Sequence, residues 1–273
     1  MADRVHMRAA AALVCALLQA LSTAAAQTAG NEFDSDAALA RSQAAVGNRL
    51  DNYELVDTSG RSLRLSEFRG KPLLVSLIYT SCDHVCPMLT TELAAAVDAA
   101  REVVGADSFN VLSIGFDTRF DTPERMRLFA ASRGIDDPRW TFAAVDAATA
   151  GAIADQLGFT YVATPRGFDH LAQVSVVDAD GVVHQQAYGA SMHQTAIVEP
   201  LKRLVWNLET DGATLSGWLK GVKLFCTVYD PNSGRYEFEY SFFIGVVIGI
   251  LAFTSGGVFV FRAWREGSRT PRV

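Results

Sequence analysis

Residues 72–79, Pro-Leu-Leu-Val-Ser-Leu-Ile-Tyr, are a short apolar run of strand type, and residues 87–104 follow as a helix-like run. Between them stand Cys82 and Cys86, with Pro87 directly after the second cysteine. A buried strand that feeds straight into a helix restricts the chain to folds with strands and helices in alternation. It also places both sulfurs at a helix N-terminus, where unpaired N–H groups and the helix dipole favour thiolate over thiol. A spacing of four residues puts the sulfurs one turn apart, roughly 6 Å between Cα atoms, close enough to bridge or to grip one ion together. Two buried cysteines acting as small hydrophobes are the plainer alternative.

The same alternation continues along the chain. Residues 53–57 and 63–65 read as short strands around the turn Asp57-Thr58-Ser59-Gly60, and residues 109–116 as a second buried strand ending at Asp117. Thr122-Pro123-Glu124 opens a helix, with Thr as cap and Pro at the first helical position. A third strand over 140–145, a helix over 147–157 closed by Gly158, a hairpin of 171–177 with 182–187 around Asp178-Ala179-Asp180-Gly181, and a helix over 194–208 complete the pattern. The expected fold is α/β, a mixed central sheet flanked by helices, over residues 53–208, with a polar, Ala-rich lead-in at 27–52 that holds at most a short helix.

The two ends of the sequence speak to compartment. Residues 1–26 have the form of a signal peptide: Arg4 and Arg8, an apolar stretch, then Ala24 and Ala26 set for cleavage. Residues 241–261 hold 21 residues without a charge, about 31 Å as a helix, which matches a bilayer core. Arg262, Arg265, Arg269 and Arg272 then form a basic tail at 262–273. One C-terminal transmembrane helix is therefore expected, with the tail cytoplasmic, the main domain periplasmic on the inner membrane, and 209–240 as a juxtamembrane segment. Outside the leader three cysteines remain, the pair and Cys226, in a compartment that oxidises thiols unless they are kept reduced or metallated.

Residues 27–240 carry 28 acidic and 18 basic residues, a net −10, which excludes nucleic acid as a partner. No Cys-x-x-Cys-His run and no Gly-rich phosphate loop occurs, so neither covalent haem nor nucleotide binding has support.

A thiol pair opening the first long helix of such a fold resembles the thioredoxin superfamily, but three residues rather than two separate these cysteines. With Thr80-Ser81-Cys82 to Cys86-Pro87, Asp117, Asp121-Thr122-Pro123-Glu124, and Asp169-His170 ahead of the hairpin, the chain resembles the Sco/SenC family of exported, membrane-anchored proteins that deliver copper for cytochrome oxidase assembly. The resemblance implies a thioredoxin-like fold with Cys82, Cys86 and His170 as copper ligands. Two thiolates and an imidazole suit Cu(I), and the imidazole leaves Cu(II) accessible. Asp117 or Asp121 would orient a ligand from behind, although Asp121 also suits a turn or cap. His84, between the cysteines, would compete as a ligand, tune their acidity, or face solvent. Asp83 opposes thiolate formation while favouring a bound cation. The family's familiar members carry their anchor at the N-terminus, whereas here it is expected at the C-terminus.

Two functions are open on this reading. One is a metallochaperone that passes copper to the copper A centre of a respiratory oxidase subunit, or to another periplasmic copper protein. The other is a thiol-disulfide oxidoreductase that cycles Cys82 and Cys86 to reduce the cysteines of such a partner, and it has no need of His170.

Overall fold

The computed structural model describes residues 33–82, 85–189, 194–206, 227–230, 235–238 and 241–267. In chain order the elements are α1 (Ser35–Ala44), β1 (Glu54–Asp57), β2 (Ser62–Arg64), a 3-10 turn (Leu65–Phe68), β3 (Leu73–Ile78), α2 (Val85–Val104), β4 (Asn110–Gly115), α3 (Pro123–Ser132), β5 (Trp140–Ala144) and α4 (Ala147–Gln156). Then come β6 (Tyr161–Thr164), β7 (Gly167–His170), β8 (Gln173–Val177), β9 (Val183–Tyr188), α5 (Thr195–Trp206), β10 (Thr227–Asp230), β11 (Arg235–Phe238) and α6 (Ser241–Gly267).

Seven strands form one sheet in the order β2-β1-β5-β4-β3-β8-β9. Strand β4 pairs in parallel with both β3 and β5, and the outer pairings are antiparallel, so the sheet is mixed as expected. Every residue of β3 is buried, because helices cover both faces at the centre. Fully buried Leu74 and Ile78 each contribute about 1.5–3 kcal/mol of transfer energy. Ser76 and Ser113 are polar in this core, and they are Cα partners whose hydroxyls bond each other at 2.8 Å. The Trp140 indole N–H donates to Ser113 at 3.0 Å, which completes a satisfied polar row across three strands.

The helix starts follow local chemistry. Asp34, Thr122 and Asp146 cap α1, α3 and α4 by accepting backbone N–H bonds, and Pro123 stands in the first turn of α3. Helix α1 belongs to the packed unit although it precedes residue 53. Its Ala38 and Ser42 are buried, the Ser42 hydroxyl donates to Gln173 at 2.7 Å and accepts from Tyr188 at 2.9 Å, and a Cβ on Gly158 would meet the Arg41 carbonyl at 2.6 Å.

Sequence reading missed two small hairpins. Strands β6 and β7 pair around the turn Thr164-Pro165-Arg166-Gly167, and β10 pairs with β11 within the stretch read as juxtamembrane. Among the described residues no helix is long and apolar enough to cross a membrane. Helix α6 covers the residues 241–261 expected as the anchor.

Candidate metal centre

The site lies where β3 and β4 end and α2 begins. Beyond Ile78 the chain turns back on itself, with the Cys82 N–H donating to the Tyr79 carbonyl at 3.3 Å. Cys86 falls in the first turn of α2, and its N–H donates to the Cys82 sulfur at 3.3 Å, a direct instance of a helix N-terminus holding a thiol. Cys82 and Cys86 are not joined by a disulfide; Cys86 is buried and Cys82 half-buried. The hydrogen bond with Cys82, followed by burial, pushes the Cys86 thiol well above its ordinary range, so Cys86 stays protonated until a metal or a disulfide replaces its proton.

Asp121 braces this turn from below. Its Oδ1 accepts from both the N–H and the hydroxyl of Thr80, each at 2.7 Å, and its Oδ2 accepts from the Asp117 N–H at 2.9 Å. Burial raises the Asp121 carboxyl above its ordinary value in spite of those donors. Gly115 makes room for it, since a Cβ there would come within 2.4 Å of the Asp121 Cβ. Asp117 is also buried, and the Arg119 Nε lies 3.8 Å from its carboxylate. Asp121 thus supports the cysteine turn through the backbone and hydroxyl of Thr80.

His170 ends β7, opposite Tyr161. Its ring sits among Phe159 at 5.2 Å, Phe116 at 5.8 Å and Tyr79 at 6.0 Å between centroids. Nδ1 bonds the Leu171 carbonyl at 2.8 Å. A carbonyl only accepts, so Nδ1 carries the proton and Nε2 of the neutral ring keeps its lone pair for a ligand role. Burial lowers the His170 pKa, which favours that neutral form, and the remaining influences include the Cys82 charge.

Tyr79 joins the two halves. Its ring stands edge-on to Phe168 at 5.2 Å between centroids, and its pKa is raised chiefly by burial, with Cys82 adding to the rise. Gly167, at φ 126°, lies against it so closely that a Cβ would meet the hydroxyl at 2.8 Å. The hairpin bearing His170 is therefore docked on the residue that leads into the cysteine turn. Sequence reading passed over Tyr79 as part of the apolar run, and only the pairing of the hairpin shows its place.

All three expected ligands thus surround Tyr79 at one end of the sheet. As they stand, no three His, Cys, Asp or Glu side chains among the described residues are grouped to hold a metal ion. The His170 ring is held by its aromatic neighbours and by Leu171. His184 lies half-buried on edge strand β9. Asp83, His84, His193 and Cys226 lie outside the described residues. Beside Cys82 an open groove of about 210 Å3 runs along α3, lined by Pro87, Arg125, Leu128, Phe129 and Arg133 among others.

Comparison with known proteins supplies the frame for this geometry. The "SCO1 protein homolog" of Bacillus subtilis is 24% identical over 94 residues, which are 34% of this chain and 47% of that protein; the match spans about half the length of that relative. A putative electron transfer protein from Aquifex aeolicus VF5 aligns in structure with TM-score 0.53 and 26% identity, over 59% of this chain and 94% of that one. Yeast Sco1 with copper bound shares the fold at TM-score 0.50 and 14% identity, over 63% of this chain and 98% of that one. The SCO1/SenC family model matches residues 41–206, more than half of the sequence and nearly all of the sheet-bearing unit from α1 to α5. By that match, the chain belongs to the SCO1/SenC family.

Proposed function

We propose that this chain is an exported, membrane-anchored metallochaperone that binds copper through Cys82, Cys86 and His170 and passes it to the copper A centre of a respiratory cytochrome c oxidase. What supports the reading is a pair of cysteines joined by the Cys86 N–H to Cys82 sulfur bond, with an imidazole against Tyr79 at the same end of the sheet whose Nε2 is left for a ligand by the Nδ1 bond to Leu171. Two sulfurs and one nitrogen are a soft, low-coordinate set suited to Cu(I). Copper is the cargo, and yeast Sco1, which shares the fold, was solved with copper bound. Binding displaces the Cys86 proton, so affinity rises with pH.

The anchor is residues 241–261, which carry no charge over 21 residues and precede four arginines. Helix α6 runs through them, and among its described residues large apolar side chains are exposed, Phe253 at 86% and Phe259 at 74%. Exposed apolar side chains of this size are unsuited to water, and lipid covers them well. With residues 1–26 as the export signal and 262–273 inside the cell, the domain from 27 to 240 faces the periplasm.

Cu(I) titration of the reduced protein tests the ligand set. Cys82→Ala, Cys86→Ala and His170→Ala should each lower affinity sharply, and unchanged stoichiometry and affinity in all three would refute the set. The hydrogen bond between the two cysteines also favours a second reading, a thiol-disulfide oxidoreductase acting on a copper-site partner. His170→Ala separates the two, because thiol exchange should survive it and copper delivery should not.

A further inference from the structure

The groove beside Cys82 is built mainly from one face of α3. Arg125, Leu128, Phe129 and Arg133 recur at helical spacing along it, and Pro87 of α2 forms the opposite wall. Leu128 is half exposed, as is Met88 next to Pro87, so apolar surface continues beyond the rim. Among the described residues the cations of the groove have no acidic partner. Arg127 on the same helix pairs with Glu124 at 2.6 Å, whereas neither Arg125 nor Arg133 forms an ion pair among the described residues. Arg133 instead lies over the Phe129 ring at 6.0 Å and donates to Ser132. Two uncompensated guanidinium groups beside a reactive sulfur stand out on residues 27–240, whose net charge is −10.

We propose that this groove docks an extended, cysteine-bearing segment of the partner protein through two of its carboxylates, aligning the partner's sulfur with Cys82. Eight helical positions separate Arg125 from Arg133, about 12 Å along the axis. An extended strand covers that distance in about four residues, and residues four apart on a strand point to the same side. The segment therefore carries acidic residues at about i and i+4, with apolar contact to Leu128 between them. Its chemistry is complementary to the groove and repelled by the rest of the acidic surface, which favours this face over others. The inference rests on Cys82 being the exchange-active sulfur of the proposed function, and it adds the character of the partner.

Three peptides of one length test it, each with a single cysteine activated as a neutral 2-thiopyridyl disulfide and with Glu, Gln or Lys at the two flanking positions. The Cys82 thiolate attacks the peptide sulfur and expels 2-thiopyridine, which is read by its absorbance. Cys86 then attacks the mixed disulfide, forming the Cys82–Cys86 bond and releasing the peptide thiol. With the reduced full chain in neutral detergent at low ionic strength, the Glu peptide should react about tenfold faster than the Lys peptide. The ratio should fall toward one near 1 M salt. Arg125→Glu with Arg133→Glu should invert the preference, and Arg125→Gln with Arg133→Gln should abolish it. Equal rates for the three peptides on the native chain, or a preference that survives either double variant, would overturn the proposal. So would a loss of rate equal for all three peptides, which would assign the arginines to the thiol's own reactivity. No copper is present in the assay, so its failure leaves the metal site standing, and a failure of copper binding leaves the groove standing.

Discussion

Asp121 and Thr80 are joined twice, since one carboxylate oxygen accepts both the backbone N–H and the hydroxyl of Thr80 at 2.7 Å. Thr80 lies two residues before Cys82, so this buried contact fixes where the first sulfur stands. Asp121→Ala leaves three donors, the two of Thr80 and the Asp117 N–H, without their acceptor. The expected cost is about 2–4 kcal/mol of stability in urea unfolding of the reduced protein. Copper affinity should fall with it. Asp121→Asn keeps one acceptor oxygen and should lose about half as much. Equal stability of both variants and the native chain would remove Asp121 from its bracing role.

Gly167 is held at φ 126° with its α-carbon against the Tyr79 hydroxyl. Gly167→Ala strains the backbone and pushes either Tyr79 or the hairpin away. A loss of about 1–2 kcal/mol is expected. The informative readout is copper affinity, which should drop more than in Gly134→Ala, a positive-φ site with open space around it. A matched drop in the two variants would show that only backbone strain matters.

His170 is buried with its pKa lowered, so the folded state holds its proton less tightly than the unfolded chain does. The sign follows from linkage: stability from this group is complete above the unfolded value of about 6.5 and is lost as pH falls through that value toward the lower folded one. His170→Phe, which keeps an aromatic ring in the box of Tyr79, Phe116 and Phe159, removes the titration. Its stability should therefore vary less with pH below about 6.5 than that of the native chain, as measured by unfolding at a series of pH values. Parallel profiles would contradict a buried neutral imidazole.

Deletion of residues 241–273 should move the protein from the membrane fraction to the soluble one. The thermal unfolding of the domain should stay close to that of the full chain. Retention of the shortened chain in washed membranes would show that the anchor lies elsewhere.

Much of this architecture was legible in the sequence. The continuous apolar run 73–78 announced a strand buried on both faces, and Thr122-Pro123 gave the start of α3 to the residue. The strand-to-helix position of Cys82 and Cys86 followed from the same patterns. What stayed hidden depended on contacts distant in sequence. Helix α1 buries Ala38 and Ser42 rather than a large apolar stripe, so its place against Gln173 and Tyr188 left no periodic signal. Strands β6 and β7 are four residues each and only partly buried, although Thr164-Pro165-Arg166-Gly167 is a turn signal that marks their hairpin. Missing that hairpin left His170 in a loop and hid Tyr79 as the link between it and Cys82. Asp121 was legible as a turn or cap residue, but its use of both oxygens on the backbone of two strand ends was not.

X-ray absorption of the reduced full chain loaded with one equivalent of Cu(I) bears most directly on the central claim. Two sulfur neighbours and one imidazole nitrogen are expected on copper, with the nitrogen lost in His170→Ala and both sulfurs kept. A spectrum unaltered by that substitution, or a native chain that holds copper through sulfur alone, would contradict the proposed site.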